Sequence, residues 1–332
     1  LMKFSICIPN YNYGRYIGDT IRSALNQEAD VEVLVADNAS TDNSVAVVEE
    51  IGDARVRLRL NSWNVGFAGN LDRACAGATG DHMLLLSSDD LAGPEAFSTY
   101  TSLARELGAG ADKAVFCSGT HEVDSAGRIT GESFLDTRLW SDASEDAEIG
   151  KRIGERVLRV PAHKLLARAM NHQRNPFNYA PTCYPRSLYE FVQGYCGGAL
   201  INPDKAFAWK LLSVAEEVFY IDRPLFSYRV HASNQNSQQR QSGALKHLID
   251  QYRATFDTPA EVLSAAQLTN DDLARAFVEH DIALRGLKAL AEGDRLSAWR
   301  HLRFGQSAYP VLVARSRRVW MLRAALALGP LG

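Results

Sequence analysis

Apolar runs alternate with segments of helical periodicity along the first 90 residues of the chain. The runs are short and nearly continuous, as expected of strands buried on both faces. Strands are predicted at Phe4–Ile8, Val31–Ala36, Val56–Leu60 and His82–Leu86. Helices are predicted between them at Arg15–Asn26, Val45–Ile51 and Leu71–Ala78. Gly80 is predicted to end the third helix as a C-cap residue. This alternation predicts an α/β fold with a mostly parallel sheet covered by helices.

A polar loop follows each predicted strand. The loops are Pro9–Gly14, Asp37–Ser44, Asn61–Asn70 and Ser87–Asp90. In an open parallel sheet the carboxyl ends of the strands share one edge, and ligands bind in the crevice there. The acids, amides and glycines of these loops therefore predict a nucleotide site. No Gly-x-Gly-x-x-Gly follows the first strand and no Walker pattern is present, so the two commonest phosphate-binding loops are excluded.

Asp89 and Asp90 stand at the tip of the fourth strand, after the apolar run Leu84–Leu86 and two serines. Adjacent carboxylates at that position indicate either a cation site or a helix cap, because Asp is also a favoured N-cap residue. The pair alone leaves both interpretations open. The matching polar loops at the other strand ends favour the site, since side chains from several loops must converge to bind a ligand.

Composition and charge exclude several classes of protein. The 332 residues are 46% hydrophobic and 23% charged, with a formal net charge of −3, so no nucleic-acid partner is expected. The five cysteines are widely spaced and include no CxxC pair. This argues against a disulfide framework or a zinc site and fits a reducing cytoplasm. Neither a signal sequence nor a membrane-spanning run is expected.

The middle of the chain is less periodic. Residues 119–160 are polar and Gly-rich, and irregular inserts of this kind are often binding loops, so we expect acceptor-side structure there. The acidic run Asp142–Glu148 predicts a solvated loop or a helix start. The segment Arg174–Pro185 combines prolines, aromatics and amides, which suits either sugar recognition or simple loop packing. The loop Ala232–Gly243 is rich in Ser, Asn and Gln, and we expect it to be mobile and to order over a bound nucleotide.

Asp204 precedes a helical pattern, so the residues alone predict that it is a helix N-cap. Glu216 and Glu217 follow that helix and are predicted to be surface charges, with a role as general base as the alternative. The strand after them ends in Arg229 and His231. The arginine suits either phosphate oxygens or a structural acid, and the histidine suits either a metal or a structural role.

The stretch Val311–Leu328 interleaves four arginines with Trp and Leu. This pattern predicts a basic amphipathic helix, which suits contact with an anionic membrane surface. The alternative is a terminal helix that packs against the protein and presents an arginine face to solvent. Membrane contact is the preferred interpretation, because a lipid-linked substrate would require it.

Several motifs occur together in one order and spacing. They are Ile8-Pro9-Asn10-Tyr11-Asn12, Val35-Ala36-Asp37-Asn38-Ala39-Ser40-Thr41-Asp42, Asn64-x-Gly66 with Asn70, Ala78-Thr79-Gly80-Asp81 and Ser88-Asp89-Asp90. With this combination the first hundred residues resemble the nucleotide-binding half of glycosyltransferase family 2, which has the GT-A fold. The resemblance continues more faintly to about residue 235. The chain departs from the family at Ala36, often an acid there, and at Gly69, often an arginine.

The resemblance implies roles for individual residues. Asp37 would recognise the nucleobase, and Asp90 with Asp89 would hold Mg²⁺ or Mn²⁺ on the diphosphate. Asp204 would be the catalytic base, and His231 is a further candidate metal ligand. The remaining residues assigned to the nucleotide-sugar are Pro9, Tyr11, Asn12, Asn64, Gly66, Asn70, Ser88 and Arg229.

The resemblance also implies a domain plan. A GT-A catalytic domain is expected over residues 1–240, with a nucleotide-sugar half at 1–118 and an acceptor half at 119–240. An α-helical region is expected over residues 241–332, with membrane association as a further expectation.

The implied function is metal-dependent, inverting transfer of a sugar from a UDP- or dTDP-sugar to a hydroxyl of a saccharide or lipid-linked saccharide. The implied setting is bacterial surface polysaccharide assembly, in the cytoplasm or at the inner face of its membrane. Two alternatives remain open: a sugar-1-phosphate nucleotidyltransferase and a catalytically inactive carbohydrate-binding subunit.

Overall fold

A computed structural model of the chain describes residues 2–177, 180–195, 200, 203–231 and 244–328. The chain divides into two compact units. The first contains Leu1–Leu165 and Pro176–His231, and the second contains Leu166–Asn175 and Ala232–Gly332. The predicted boundary between residues 240 and 241, the loop 232–243, and the residues Asn178, Tyr179, Cys196 and Asn202 lie outside the described residues.

The first unit is built on one mixed sheet, which has eleven strands among the described residues. The strands are β1 (Lys3–Asn10), β2 (Asp30–Asp37), β3 (Val56–Leu60), β4 (His82–Leu85), β5 (Leu91–Ala92), β6 (Ala114–Val123), β7 (Ile129–Ser133), β8 (Ser144–Glu145), β9 (Val157–Pro161), β10 (Cys183–Pro185) and β11 (Glu217–Arg229). Their order is β3-β2-β1-β4-β10-β6-β11-β9-β8, with β5 on β11 and β7 on β6.

Strand β1 lies at the centre of the parallel part of the sheet, between β2 and β4. The chain moves outward from β1 through β2 to β3, and then crosses back to place β4 on the other side. The order of strands therefore reverses between β1 and β4. In open α/β sheets a ligand crevice forms at the carboxyl ends of the strands at such a reversal.

The helices of this unit follow the strands closely. They are α1 (Gly14–Leu25), α2 (Ser44–Glu49), α3 (Gly66–Cys75), α4 (Ala96–Leu107), α5 (Ala147–Ile153), α6 (Ala162–Asn171), α7 (Arg186–Phe191) and α8 (Asp204–Val214). Helix α6 passes from the first unit into the second. The apolar residues of the central strands form a continuous core with α1 and α4, in which the Phe4 and Phe97 rings meet edge to face at 4.9 Å. Fully buried strands explain the near-continuous apolar runs in the sequence.

Helix α3 begins at Gly66, five residues earlier than the pattern predicts. The Asn38 side chain accepts a hydrogen bond from the backbone N–H of Val65, and the Asn64 side chain accepts one from Gly66. These side-chain acceptors satisfy N–H groups at the start of a helix that has few apolar residues in its first turn. The predicted loop residues Gly66, Gly69 and Asn70 are therefore helical.

The prediction that Gly80 is a C-cap residue is wrong. Helix α3 ends at Cys75, and Gly80 lies beyond it, against β1. A Cβ atom on Gly80 would lie 2.6 Å from the backbone nitrogen of Ser5 and 2.8 Å from the carbonyl oxygen of Lys3. Glycine is required there because two backbone segments approach too closely for any side chain.

The helix-cap interpretation of Asp90 is also wrong. Residues Leu91–Ala92 form strand β5, which pairs antiparallel with Ser227 and Phe226 of β11. The next helix, α4, starts at Ala96. Asp90 therefore ends a loop between two strands, and its carboxylate does not serve the N-terminus of a helix.

Residues 119–160 are more regular than expected. Strand β6 continues to Val123 and forms a hairpin with β7, and α5 lies between the two short strands β8 and β9. The helix-start interpretation of the acidic run is confirmed for Asp146, whose carboxylate accepts a hydrogen bond from the backbone N–H of Ile149 at the start of α5. The polar composition hid these strands because the side chains of β7 and β8 are mostly exposed.

The second unit is helical in its described part. Its further helices are α9 (Ala244–Phe256), α10 (Ala260–Ala265), α11 (Asn270–Phe277), α12 (Arg285–Ala291), α13 (Arg295–Ala308), α14 (Pro310–Arg315) and α15 (Arg317–Ala327), with a π-helical turn at Val278–Leu284. Phe277, Ile282 and Leu322 are fully buried in its apolar core. Among the described residues, no helix is both long enough and apolar enough to cross a membrane.

Candidate functional site

Hydrogen bonds join the loops at the carboxyl ends of β2, β1 and β4. The Asn10 amide donates to the Asp37 carboxylate at 2.7 Å, which ties the end of β1 to the end of β2. The Ser88 hydroxyl donates to the carbonyl oxygen of Pro9 at 2.8 Å, which ties the loop after β4 to β1. The predicted residues Pro9, Asp37 and Ser88 are thus brought to one edge of the sheet, at the reversal of strand order.

Asp37 is buried, and its carboxylate accepts three hydrogen bonds in this edge. Besides Asn10, the Ser40 hydroxyl donates at 2.6 Å and the Ser40 backbone N–H donates at 2.8 Å. These donors hold one carboxylate rotamer and one loop conformation. Ser40 also accepts a hydrogen bond from the backbone N–H of Asn12, at 2.9 Å, so the loops after β1 and β2 share a polar contact.

Tyr11 and Asn12 differ in what they offer a ligand. The Asn12 side chain accepts a hydrogen bond from the backbone N–H of Thr41 at 2.8 Å, and its backbone adopts a φ of 59°. Asn tolerates this left-handed conformation better than most residues. The Tyr11 ring is 43% exposed beside it. Asn12 therefore shapes the loop, and Tyr11 presents an accessible ring at the edge of the sheet.

Four asparagine amides form a connected network behind this edge. Asn38 donates to the Asn64 side chain at 2.9 Å and accepts from Asn61 at 3.1 Å. Asn61 also donates to Asn70 at 2.8 Å, and Asn70 donates to the carbonyl oxygen of Ala36 at 3.0 Å. Of the predicted residues, Asn64, Gly66 and Asn70 thus support the loops from within. Sequence reasoning overlooked Asn61, although an amide or acid follows each of the first three strands.

Strand β11 fixes the acid pair. The backbone N–H of Arg229 donates to Asp90 Oδ1 at 2.9 Å, and its Nε donates to the carbonyl oxygen of Asp89 at 2.8 Å. His231 Nε2 lies 2.9 Å from Asp89 Oδ2. The structure therefore brings together four residues that the sequence singled out from two distant segments.

The two carboxyls are buried next to each other, which is costly for their charged forms. Burial raises the pKa of Asp89, and hydrogen bonding to His231 offsets part of that rise. Burial and the neighbouring charge of Asp89 together hold the pKa of Asp90 well above its usual range. A cation beside the pair would relieve this repulsion, because an opposite charge favours ionised carboxylates.

Tyr13 and Tyr16, which sequence reasoning did not single out, complete the surroundings of the pair. The Tyr16 ring centroid lies 4.8 Å from that of His231 and 4.9 Å from the guanidinium carbon of Arg229. The Tyr13 ring meets His231 at 5.8 Å. Arg229 is buried and also donates to the carbonyl oxygen of Ser125 at 3.3 Å. Its hydrogen bonds to Asp89, Asp90 and Ser125 fit a positioning role.

The donor chemistry of Asp89, Asp90 and His231 fits a divalent cation, since carboxylate oxygens suit Mg²⁺ and Mn²⁺ and an imidazole is an additional ligand for Mn²⁺. Within the described ranges, no group of three or more His, Cys, Asp or Glu side chains is arranged to hold a metal ion. Diphosphate oxygens would have to complete the ligand set. The metal site therefore stays a prediction.

Asp204 lies in a second cluster, at the start of α8. The prediction that Asp204 is the N-cap residue is wrong, because Pro203 occupies the N-cap position and Asp204 is the first helical residue. Close by, the Tyr195 ring stacks on Phe207 with centroids 4.0 Å apart. Burial raises the pKa of Tyr195, and the charge of Asp204 contributes to the rise. The cluster thus places a half-buried carboxylate beside aromatic rings that are buried in the core of the first unit.

Two side chains, Asp72 and Lys210, form hydrogen bonds with the chain between Tyr189 and Tyr195. Asp72 of α3 accepts hydrogen bonds from the backbone N–H of Tyr195 at 2.8 Å and from the Tyr189 hydroxyl at 3.0 Å. The Lys210 ammonium donates to the carbonyl oxygens of Val192 and Gly194. Helix α3, which carries part of the asparagine network, therefore also positions Tyr189 and Tyr195.

Glu216 and Glu217, the alternative candidates for the general base, differ in their surroundings. Glu216 forms an exposed ion pair with Lys113, which matches the predicted surface charge. Glu217 opens β11 between Ala114 and Pro161, and its Oε2 atom is buried without a hydrogen-bond partner. Neither residue has a described contact with the acid pair or with the aromatic cluster.

Comparison with known proteins gives a family match over part of the chain. Residues 5–152 match the model of glycosyl transferase family 2. An uncharacterized glycosyltransferase of Nostoc sp. is 37% identical over 93 residues, which are 27% of this chain and 29% of that protein. The Escherichia coli enzyme WfgD, a UDP-Glc:α-D-GlcNAc-diphosphoundecaprenol β-1,3-glucosyltransferase, is 39% identical over 88 residues, 26% of this chain and 35% of that protein. The chain thus spans about a third of the length of these two relatives.

Longer matches are more distant. EpsH of Bacillus subtilis, a putative glycosyltransferase by name, is 23% identical over 262 residues, which are 78% of this chain and 68% of that protein. The crystal structure of Staphylococcus aureus TarS in complex with UDP-GlcNAc is similar in fold, with a TM-score of 0.66 and 18% identity. That match covers 98% of this chain and 88% of the other. The predicted GT-A fold with a C-terminal helical region is confirmed.

Proposed function

We propose that this chain is a member of glycosyl transferase family 2, whose model matches residues 5–152, and that it transfers a sugar from a nucleotide-sugar to an acceptor hydroxyl. One observation carries the proposal: the buried pair Asp89 and Asp90 is held by β11 at the reversal of strand order. Two carboxylates that repel each other in a buried site are costly unless they serve a ligand. A donor diphosphate with its cation is such a ligand.

The donor we propose is a UDP- or dTDP-sugar. Asp37 is held rigidly by Asn10 and Ser40, as needed for a carboxylate that accepts a hydrogen bond from a base N–H. The exposed ring of Tyr11 offers a face for stacking. Support for uridine comes from two similar proteins, TarS in complex with UDP-GlcNAc and the UDP-Glc-dependent WfgD.

The acceptor we propose is a saccharide carried on a lipid diphosphate, in bacterial surface polysaccharide assembly. The name of WfgD states such an acceptor, and an abequosyltransferase of Salmonella typhimurium, RfbV, is 34% identical over 95 residues. The buried aromatic rings beside Asp204 would support its position next to this sugar. Asp204 would take the proton of the attacking hydroxyl, and attack in line with the leaving diphosphate inverts the anomeric centre.

The cation we propose is Mg²⁺ or Mn²⁺, held by Asp90 and Asp89 with His231 as a further ligand. When bound, it would neutralise the charge that develops on the leaving diphosphate. Arg229 keeps both acids in position through its backbone N–H and its guanidinium. Tyr13 and Tyr16 enclose the imidazole of His231 and limit the access of water to it.

The experiment is a panel of nucleotide-sugars incubated with the protein and a saccharide acceptor, with and without EDTA, and read as nucleotide release and as product mass. We expect metal-dependent release from a uridine or thymidine diphospho-sugar. Asp204→Asn should lower turnover by about 10³-fold or more while donor affinity stays within about threefold. Asp19→Asn, an exposed acid paired with Arg22, is the matched control.

The outcomes separate the alternatives. A nucleotidyltransferase would instead release pyrophosphate from a nucleoside triphosphate and a sugar 1-phosphate. An inactive binding subunit would bind a saccharide but release no nucleotide under any condition. Wild-type turnover by Asp204→Asn would show that another group accepts the proton, and Glu217 would then be the next residue to test.

A further inference from the structure

Helix α15 is apolar on two opposite faces. Its inner face is formed by Val319, Leu322 and Leu326, which are buried in the core of the second unit. Its outer face carries large apolar side chains as well, and Trp320 is 70% exposed and Met321 57% exposed. A helix that only packs against its own unit needs one apolar face, so the outer face requires a separate explanation.

The outer face has a defined geometry. At about 100° per residue, Trp320, Met321 and Leu328 fall within an arc of about 100°. Leu328, directly after the helix, is 78% exposed and extends the same stripe. Arg318 and Arg323 stand at about equal angles on either side of the stripe, and the exposed Arg317 stands at its N-terminal end. An apolar stripe flanked by cationic side chains is the arrangement of helices that lie in a membrane interface.

The charge of this segment differs in sign from the rest of the chain. Residues 309–332 contain four arginines, at positions 315, 317, 318 and 323, and no Asp or Glu. Since the whole chain carries a formal charge of −3, the other 308 residues carry −7. The described ion pair here joins Arg318 to Glu279 at 3.4 Å. Positive charge is therefore concentrated around the exposed apolar stripe.

The helix is held firmly enough to present this face. The Ser316 hydroxyl accepts a hydrogen bond from the backbone N–H of Val319 at the N-terminus. At the other end, the Arg295 guanidinium donates to the carbonyl oxygen of Leu326 at 2.7 Å, a favourable place for a cation. The inner face and both ends are thus fixed before any partner binds.

We propose that the outer face of α15, defined by Trp320, Met321 and Leu328, docks on the surface of an anionic lipid bilayer. The arginines would lie against lipid headgroups while the stripe enters the interface, where Trp is favoured. A second copy of the chain fits less well, because a two-fold contact through this stripe would bring both sets of arginines together. The proposal does not depend on the proposed transfer reaction.

The test is co-sedimentation of the full chain with vesicles of phosphatidylcholine and phosphatidylglycerol in a roughly two-to-one ratio, compared with phosphatidylcholine alone. We expect binding to the anionic vesicles that weakens with salt. The double variant R315Q/R317Q should bind roughly 20-fold more weakly, at about fivefold per arginine. W320S/M321S should lose most of its binding. All four side chains are exposed, so both variants should keep their thermal unfolding midpoints.

Two controls make the result decisive. Phe191→Ser removes an exposed aromatic ring from the first unit, and Arg128→Gln removes an exposed arginine there. Both should bind vesicles as the wild type does. The proposal fails if the wild-type chain does not sediment with anionic vesicles, or if W320S/M321S sediments equally well. It also fails if sedimentation velocity shows that the wild type is a dimer and W320S/M321S a monomer, since a second copy would then cover the stripe.

Discussion

His231 Nε2 lies 2.9 Å from Asp89 Oδ2, although 142 positions separate the two residues in the chain. The contact links the residue just after β11 to the loop that follows β4. It places an imidazole against one of two buried acids, and Tyr16 and Tyr13 hold the ring from the other side. The orientation of Asp89 therefore depends on the far end of the first unit.

Replacing His231 tests whether this contact serves a bound cation. His231→Asn should weaken the affinity for Mn²⁺ in the presence of UDP by about 10- to 100-fold, the range for groups that hold or orient a metal ligand. Isothermal titration measures this directly, without turnover. His163→Asn, at an exposed position of α6, should leave the affinity unchanged. Equal affinities for wild type and His231→Asn would assign His231 a purely structural role.

Replacing Asp90 tests the cost of the buried pair. In EDTA, Asp90→Asn should raise the unfolding midpoint by roughly 2–4 °C, because burial and the charge of Asp89 both disfavour the ionised carboxyl. The amide oxygen can still accept from the backbone N–H of Arg229. With Mn²⁺ and UDP the wild type should gain stability and the variant should not. A lower midpoint for Asp90→Asn in EDTA would mean that the ionised form is stabilising.

The stability of the first unit should be sensitive to acid because of Glu32, which lies near the amino-terminal end of β2. Burial alone would raise the pKa of Glu32, but hydrogen bonds from Ser5 and Thr79 and the charge of Arg57 outweigh it and lower the pKa to about 2. A lowered carboxyl pKa stabilises the fold above the ordinary value of 4.5. That contribution disappears as the pH falls from about 4.5 towards 2.

Glu32→Gln should therefore cost up to about 3 kcal/mol at neutral pH and flatten the loss of stability in acid. Urea unfolding between neutral pH and about pH 3 gives both quantities. Glu28→Gln is the matched control, because this glutamate is exposed. Parallel pH profiles for wild type and Glu32→Gln would contradict the assignment.

Gly80→Ala should destabilise the first unit, by about 2 kcal/mol or more, since the added methyl group meets the backbone of Lys3 and Ser5. Both residues belong to β1, which lies at the centre of the parallel part of the sheet and cannot move without disturbing its neighbours. Gly110→Ala is the control, because a Cβ there has its nearest neighbour at 3.9 Å. Equal unfolding midpoints for the two variants would show that β1 tolerates the displacement.

The parallel half of the fold was predictable because burial on both faces leaves a clear pattern. The strand ends at Asp37 and near Asp89 followed from apolar runs that stop abruptly. Strand β10 was not predictable to the same degree, since Cys183–Pro185 is three residues long and pairs antiparallel with β4 and β6. Such a short strand gains its place from its neighbours in the sheet and has too few residues to show a period.

The residues of the candidate site were easier to predict from the sequence than the contacts among them. Asp89, Asp90, Arg229 and His231 were each singled out, but which atoms would meet depends on the pairing of β5 with β11. The sequence pattern did not predict the start of α3, because Asn38 and Asn64 accept hydrogen bonds from the N–H groups there. Asn38 is distant in sequence, and Asn64 lies outside the apolar pattern of the helix. Polar networks between loops have no sequence period, so only the folded chain reveals them.

The contacts by which β11 and His231 hold the acid pair have a consequence for synthesis of the chain. A growing polypeptide that ends before residue 229 contains the acid pair but lacks the strand and the histidine that hold it. Long-range strand pairing of this kind forms late, after most of the unit is available. The first unit should therefore acquire its candidate ligand site in one step near the end of its synthesis, and fragments released earlier should not compete with the finished protein for nucleotide.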